Sequence, residues 1–208
     1  MIAIIDYGVG NLFSLKSSFA LIGQDALVTG EKSLIEKADK IILPGVGAFE
    51  DAAKKLHSSG LDDCVREQVG KGKYLMGICL GMQLLFDKSY EYGEHEGLSL
   101  ITGEIRPISD VIDFELKIPH MGWNALNFNN GKHPLFKYIN EGDCVYFVHS
   151  FYACKCEDSI IATADYSYPL TAAVAKDNVI GCQFHPEKSG DIGLKILKSF
   201  CEMEDFQC

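Results

Sequence analysis

The chain has 208 residues, 47% apolar and 23% charged, with a formal net charge of −10. That balance supplies a well-buried core and excludes a disordered chain. The acidic excess, with no cluster of Lys and Arg, excludes a surface built to displace counterions from a nucleic acid. No linker, repeat or low-complexity stretch divides the chain, so residues 1–208 read as a single domain.

In chain order, Ile2-Ala3-Ile4-Ile5 reads as a buried strand stopped by Asp6. It has no basic region before it and is too short for a signal peptide or a membrane span, so a cytoplasmic protein is expected, with no membrane partner. Gly8-Val9-Gly10 begins like a dinucleotide fingerprint, but Phe13 stands where the third glycine belongs. Asn11 is placed to cap a helix on which Leu12, Leu15, Phe19 and Ile22 mark one core-facing stripe.

Lys40-Ile41-Ile42-Leu43 predicts a second strand, followed by Pro44-Gly45-Val46-Gly47 and a helix from Ala48. Residues 73–76 predict a third, and Met82, Leu85 and Phe86 then recur at helical spacing. Strands alternating with helices predict a parallel sheet with crossover helices. From about Gly103 short alternating runs take over, including Val145-Tyr146-Phe147-Val148, Ile160-Ile161-Ala162-Thr163 and the run from Val179 to Phe184. These predict a mixed or antiparallel extension, closed by a helix around residues 192–197. The fold class is α/β, three-layered, with a β-rich second half.

Gly77-Ile78-Cys79-Leu80-Gly81-Met82-Gln83 places one cysteine between two glycines where strand gives way to helix. A thiol at such a corner is presented at a strand tip beside unpaired helix amides, in the manner of a nucleophile elbow. The other cysteines (Cys64, Cys144, Cys154, Cys156, Cys182, Cys201 and Cys208) are expected to be mostly reduced, and Cys154-Lys155-Cys156 has the wrong spacing for a zinc pair. His185-Pro186-Glu187 follows a strand, so an imidazole and a carboxylate leave the sheet together, suited to a base and its orienter. In parallel α/β sheets functional groups gather beyond the carboxyl ends of strands, where Cys79, His185 and the Pro44-Gly45-Val46-Gly47 loop all fall. The amides of that loop and of Leu80 are candidates for stabilising an oxyanion. A phosphate cradle is disfavoured, because Pro44 removes a donor and no Lys-Ser/Thr pair follows.

Together these segments resemble the class I, triad-type glutamine amidotransferases. With Asp6-Tyr7-Gly8-Val9-Gly10-Asn11 and Pro119-His120-Met121-Gly122-Trp123-Asn124, the chain resembles in particular the glutaminase subunits of imidazole glycerol phosphate synthase. The resemblance implies a flavodoxin-like fold with a mostly parallel central sheet, and hydrolysis of glutamine by the triad Cys79, His185 and Glu187. It implies an oxyanion hole from the amides of Val46 and Leu80, and glutamine held by Gly47, Gln83, His149 and Ser150. It implies release of ammonia to a cyclase subunit that forms imidazole glycerol phosphate and aminoimidazole carboxamide ribotide in histidine biosynthesis. Asn11, Trp123, Tyr146 and Lys188 then match positions at or near the partner interface, and no metal or organic cofactor is required. Gln83 has support of its own, one helical turn after Cys79 on the same face. Alternative readings are a paralogous glutaminase feeding a sugar-amidating synthase, the glutaminase of pyridoxal phosphate synthase, a non-catalytic partner on the same scaffold, and a cysteine peptidase.

Overall fold

Ile2–Ile5 form β1, and their side chains enter different cores in alternation: Ile2 and Ile4 on one face, Ala3 and Ile5 on the other. A strand buried on both faces has to be apolar throughout and needs cover on both sides. The computed structural model, which describes residues 1–129 and 131–204, shows helices supplying that cover.

After β1 come α1 (Leu12–Leu21), β2 (Ala26–Thr29), α2 (Lys32–Lys37), β3 (Lys40–Leu43), α3 (Phe49–Ser58), α4 (Leu61–Gly70) and β4 (Tyr74–Ile78). They are followed by α5 (Leu80–Gln83), β5 (Phe86–Ser89), β6 (His95–Glu96), β7 (Ile101–Pro107), β8 (His120–Ala125) and β9 (Asn127–Phe128). The chain continues with β10 (Cys144–His149), β11 (Phe151–Cys154), β12 (Ile160–Asp165), β13 (Pro169–Lys176), β14 (Val179–Cys182) and α6 (Gly190–Cys201). The central sheet runs β2-β1-β3-β4-β14-β13-β12-β9, parallel from β2 to β14 and antiparallel from there to β9. Leu15 and Phe19 of α1 and Ile196, Leu197 and Phe200 of α6 fill one face, while Ile35, Phe49, Leu56 and Val65 of α2, α3 and α4 fill the other. Two smaller sheets, β11-β7-β5-β6 and β10-β8, make the second half β-rich.

One expectation sharpens and another changes. Of the mixed or antiparallel extension expected, β14 is the mixed part, parallel to β4 and antiparallel to β13. The turn after β13 returns the chain into the slot beside β4, where Gly181 pairs with Gly77 and Cys182 with Ile78. All four β14 residues are buried, and a Cβ on Gly181 would stand 2.6 Å from Met82 Cγ. The helix after Cys79 lasts one turn, not the length its spacing predicts. Leu84, Leu85 and Phe86 are all buried, so no polar face exists, and their carbonyls accept from Leu98, Leu100, Ile101 and Ser99 as the chain turns into β5.

Asn11 stands at the N-cap of α1 as expected, although its side chain makes no capping bond. Buried Lys40 closes the other end of the same layer: Nζ donates to Phe200 O at 3.0 Å and also to Met203 O, tying β3 to the end of α6. The seven described cysteines are unpaired, and Cys208 lies outside the described residues. Among the described residues no helix is long and apolar enough to cross a membrane.

Candidate active site

Cys79 follows β4 directly with φ 55° and ψ −111°, a backbone region that a residue with a side chain enters only at a cost. The surroundings enforce that turn. A Cβ on Gly77 would lie 2.6 Å from Gly81 O, one on Gly81 1.9 Å from Leu43 O, and one on Gly45 2.7 Å from Gly81 N. The cysteine turn and the Pro44-Gly45-Val46-Gly47 loop therefore interlock backbone to backbone. Tyr7 ties the first loop to them, its hydroxyl donating to Pro44 O at 2.7 Å. Burial, and secondarily the nearby Cys79, push that phenol well above its usual range, so it remains a donor.

His185 arrives from β14, the parallel neighbour of β4, with Cys79 N–H donating to Cys182 O at 2.7 Å to lock the two strand ends together. Its Nδ1–H donates to Glu187 Oε1 at 2.8 Å, which leaves Nε2 for the thiol. Burial disfavours the imidazolium, but hydrogen bonds to Cys79 and Glu187 and their charges outweigh it, raising the His185 pKa to about 9. Both side chains of the His185–Glu187 pair are almost wholly buried, and Glu187 Oε2 has no partner among the described groups. The backbone is held as tightly: His185 N–H donates to Tyr146 O at 2.9 Å, and Ser189 Oγ donates to His185 O at 2.7 Å while accepting from Tyr146 N–H at 2.9 Å.

A cavity of about 360 Å³ opens over the sulfur, lined by Val46, Gly47, Cys79, Leu80, Gln83, His149, Ser150, His185 and Lys188. Every residue expected at the triad, oxyanion hole or glutamine site lines it except Glu187, which stands behind His185. Gln83 Nε2 donates to Phe151 O at 3.3 Å and to Gln183 Oε1 at 3.1 Å, so what remains for a ligand is its oxygen. The His149 ring is spent as well: Nδ1–H donates to Phe151 O at 2.8 Å and Nε2 accepts from His120 Nδ1 at 2.9 Å. At position 149 the imidazole therefore has no ring nitrogen left over for a ligand. Burial lowers the pKa of His149 to about 3 and that of His120 to about 4, keeping both neutral.

Glu91, Tyr92, Pro119, Val148 and Phe151 complete the wall, and sequence reading missed them. Pro119 carries no chemical signal of its own, and Glu91 sits in a polar turn with no periodic signal. Glu91 Oε2 accepts from Phe49 N–H at 2.6 Å, joining the cavity wall to the start of α3. Of the expected interface residues, Lys188 lines the cavity and joins Tyr146 and Trp123 to it. Trp123 packs edge-on to Tyr146 at 6.2 Å, and Lys188 Nζ stands 5.9 Å over the Tyr146 ring. Met121 and Trp123 are exposed on β8, 65% and 58%, while His120 on the same strand points inward. Asn11 is half-buried at the head of α1, which packs against the turn Pro186–Lys188.

A thiol, a buried imidazole with its carboxylate and a glycine-rich loop meet at one sheet end of a three-layer α/β fold. The chain belongs to the class-I glutamine amidotransferase family, whose model matches residues 3–203. Its relatives include imidazole glycerol phosphate synthase subunit HisH of Wolinella succinogenes, 48% identical over 98% of this chain and all of that one. The subunit of the same name from Sulfurimonas denitrificans is 48% identical over the whole of both chains. Among solved structures, a crystal structure of a glutamine amidotransferase shares the fold with a TM-score of 0.75 at 19% identity, covering 97% of this chain and all of that one. The glutaminase domain of Trypanosoma brucei CTPS with bound acivicin does so with 0.67 at 15%, covering 98% and 94%.

Proposed function

We propose that this chain, acting as one domain over residues 1–208, is the cytoplasmic glutaminase subunit of imidazole glycerol phosphate synthase. It hydrolyses glutamine and delivers the ammonia to a cyclase subunit in histidine biosynthesis. The observation that carries this reading is the 48% identity over full length to subunits of that name. The site geometry fits the chemistry. Cys79 attacks the side-chain amide carbon of glutamine, the oxyanion takes hydrogen bonds from the Leu80 and Val46 amides, and His185 Nε2–H protonates the departing nitrogen to give ammonia and a thioester. His185 then takes a proton from water as it attacks the thioester, and glutamate leaves with the thiol restored. Glu187 holds the ring in the tautomer both steps need.

Gly47, Ser150 and the 149 backbone supply polar groups along the cavity, and the Gln83 oxygen and Glu91 carboxylate suit the α-ammonium of glutamine. Asn11, Trp123, Tyr146 and Lys188 form the face that meets the cyclase, with exposed Met121 beside them. The test is reconstitution: purified chain, a cyclase subunit and its ribulosyl substrate should yield imidazole glycerol phosphate in a glutamine-dependent way. Glutamine hydrolysis without that product assigns the chain to another synthase.

A further inference from the structure

We propose that Gln183 is a further catalytic residue: its amide donates a hydrogen bond to the Cys79 sulfur, aimed by a hydrogen-bond chain that begins at half-buried Asn124 on β8 and runs through the buried side chains of His120, His149 and Gln83. This rests on the glutaminase reading above. Gln183 is fully buried, and its Nε2 stands 3.8 Å from Sγ. Which end of an amide faces a neighbour is decided by its other partners. Here they leave no choice.

The chain starts at Asn124. Its Nδ2 donates to Asp165 O at 2.8 Å and its Oδ1 accepts from Ala125 N–H at 2.8 Å, which fixes its orientation. The second Nδ2 proton points at His120 Nε2, 3.3 Å away, so His120 carries its proton on Nδ1 and donates to His149 Nε2. His149 in turn donates from Nδ1 to Phe151 O. That carbonyl also accepts from Gln83 Nε2, which orients Gln83 and aims its other proton at Gln183 Oε1. With its oxygen taken, Gln183 presents its NH2 to the sulfur. One consistent set of proton positions satisfies every link, and the burial that keeps both histidines neutral preserves it.

A carboxamide does not surrender its proton at any working pH. Gln183 therefore stabilises negative charge on sulfur without neutralising it, and His185 remains the acid. The same donor aids sulfur as a leaving group when the thioester is hydrolysed. Gln83 thus acts as a positioning residue for Gln183 as well as a wall of the cavity, and His120 as a positioning residue further back.

The test reads the rate at which iodoacetamide alkylates Cys79, followed by mass spectrometry of the Cys79 peptide, beside glutaminase kinetics of the complex with a cyclase subunit. Gln183→Met keeps the length and removes the donor. Alkylation rate and kcat should each fall about tenfold, the worth of a hydrogen bond to a charged group, with KM for glutamine unchanged. His120→Phe should slow alkylation less and add nothing in the Gln183→Met background. Gln183→Glu, isosteric but with no obligate donor, should slow it in the same sense and serves if Gln183→Met fails to fold. Unchanged alkylation in a folded Gln183 variant overturns the proposal, and full additivity of His120→Phe overturns the chain. Alkylation needs no glutamine, so failure of the wild-type complex to hydrolyse glutamine would count against the glutaminase reading and be seen separately.

Discussion

The His185–Glu187 pair is buried and relies on its own charges. Glu187 Oε2 has no partner among the described residues, so removing the imidazole leaves a carboxylate in a low-dielectric pocket without the cation beside it. His185→Ala should therefore cost stability as well as catalysis, about 3 kcal/mol by urea denaturation, and part should return in the His185→Ala/Glu187→Gln double variant. Cys79→Ala should abolish glutamine hydrolysis while leaving the fold and partner binding intact. The His185 imidazole, followed by NMR, should then titrate below its wild-type value of about 9, because the sulfur's hydrogen bond and charge help hold the proton there. Tyr7→Phe removes only the bond to Pro44 O. A loss of about 1 kcal/mol in stability is expected, with a fall in kcat that reports how far the loop needs that anchor.

At the scale of elements, the site is a junction of strand ends. β3 and β4 bring the Pro44 loop and Cys79 together, and β14 brings Gln183 and His185 beside them. Gly81→Ala, with its Cβ 1.9 Å from Leu43 O, should force these ends apart; loss of hydrolysis with a lowered melting temperature is the expected result. The strands β1, β3 and β10 and the helices α1, α3 and α6 were legible because apolar runs, helical stripes and glycine loops mark them locally. The length of α5 was not legible: Met82, Leu85 and Phe86 mimic a helical stripe, but the run is buried on every side and its carbonyls are claimed by β7 and the turn before it. The parallel placement of β14 also lay beyond local signals, since a four-residue buried strand reads alike in either direction. At the candidate site, Cys79, His185 and Glu187 stand out in the sequence only in combination, as a thiol at a glycine-flanked turn and an imidazole with a carboxylate after another strand. Glu91 and Gln183 do not, because their roles arise only from neighbours distant in the chain.

Across the whole molecule, three histidines shape stability against pH in opposite directions. Folded His185 holds its proton to about 9 against 6.5 when unfolded, so its contribution is full below 6.5 and is lost as the pH rises through 9. Folded His120 and His149 stay neutral to about 4 and 3, so below 6.5 the unfolded chain takes up protons first and stability falls with falling pH. Denaturation midpoints between pH 4 and 9 should therefore pass through a maximum near 6.5. Met121 and Trp123 are exposed on β8, at the face proposed to meet the cyclase, and on that proposal Trp123→Ala should weaken cyclase binding about tenfold or more by calorimetry, with the isolated chain's melting temperature unchanged.

The seating of β14 between β4 and β13 has a consequence for synthesis on the ribosome. Every residue of the Cys79 turn is made well before Gln183, His185 and Glu187, and β14 is the last strand of the central sheet to be synthesised. Until it is in place, β4 is an open edge and Cys79 is an ordinary thiol with neither base nor donor beside it. On the proposed chemistry the thiol gains its base and its donor only when the sheet is complete, so a half-made chain would carry no active nucleophile.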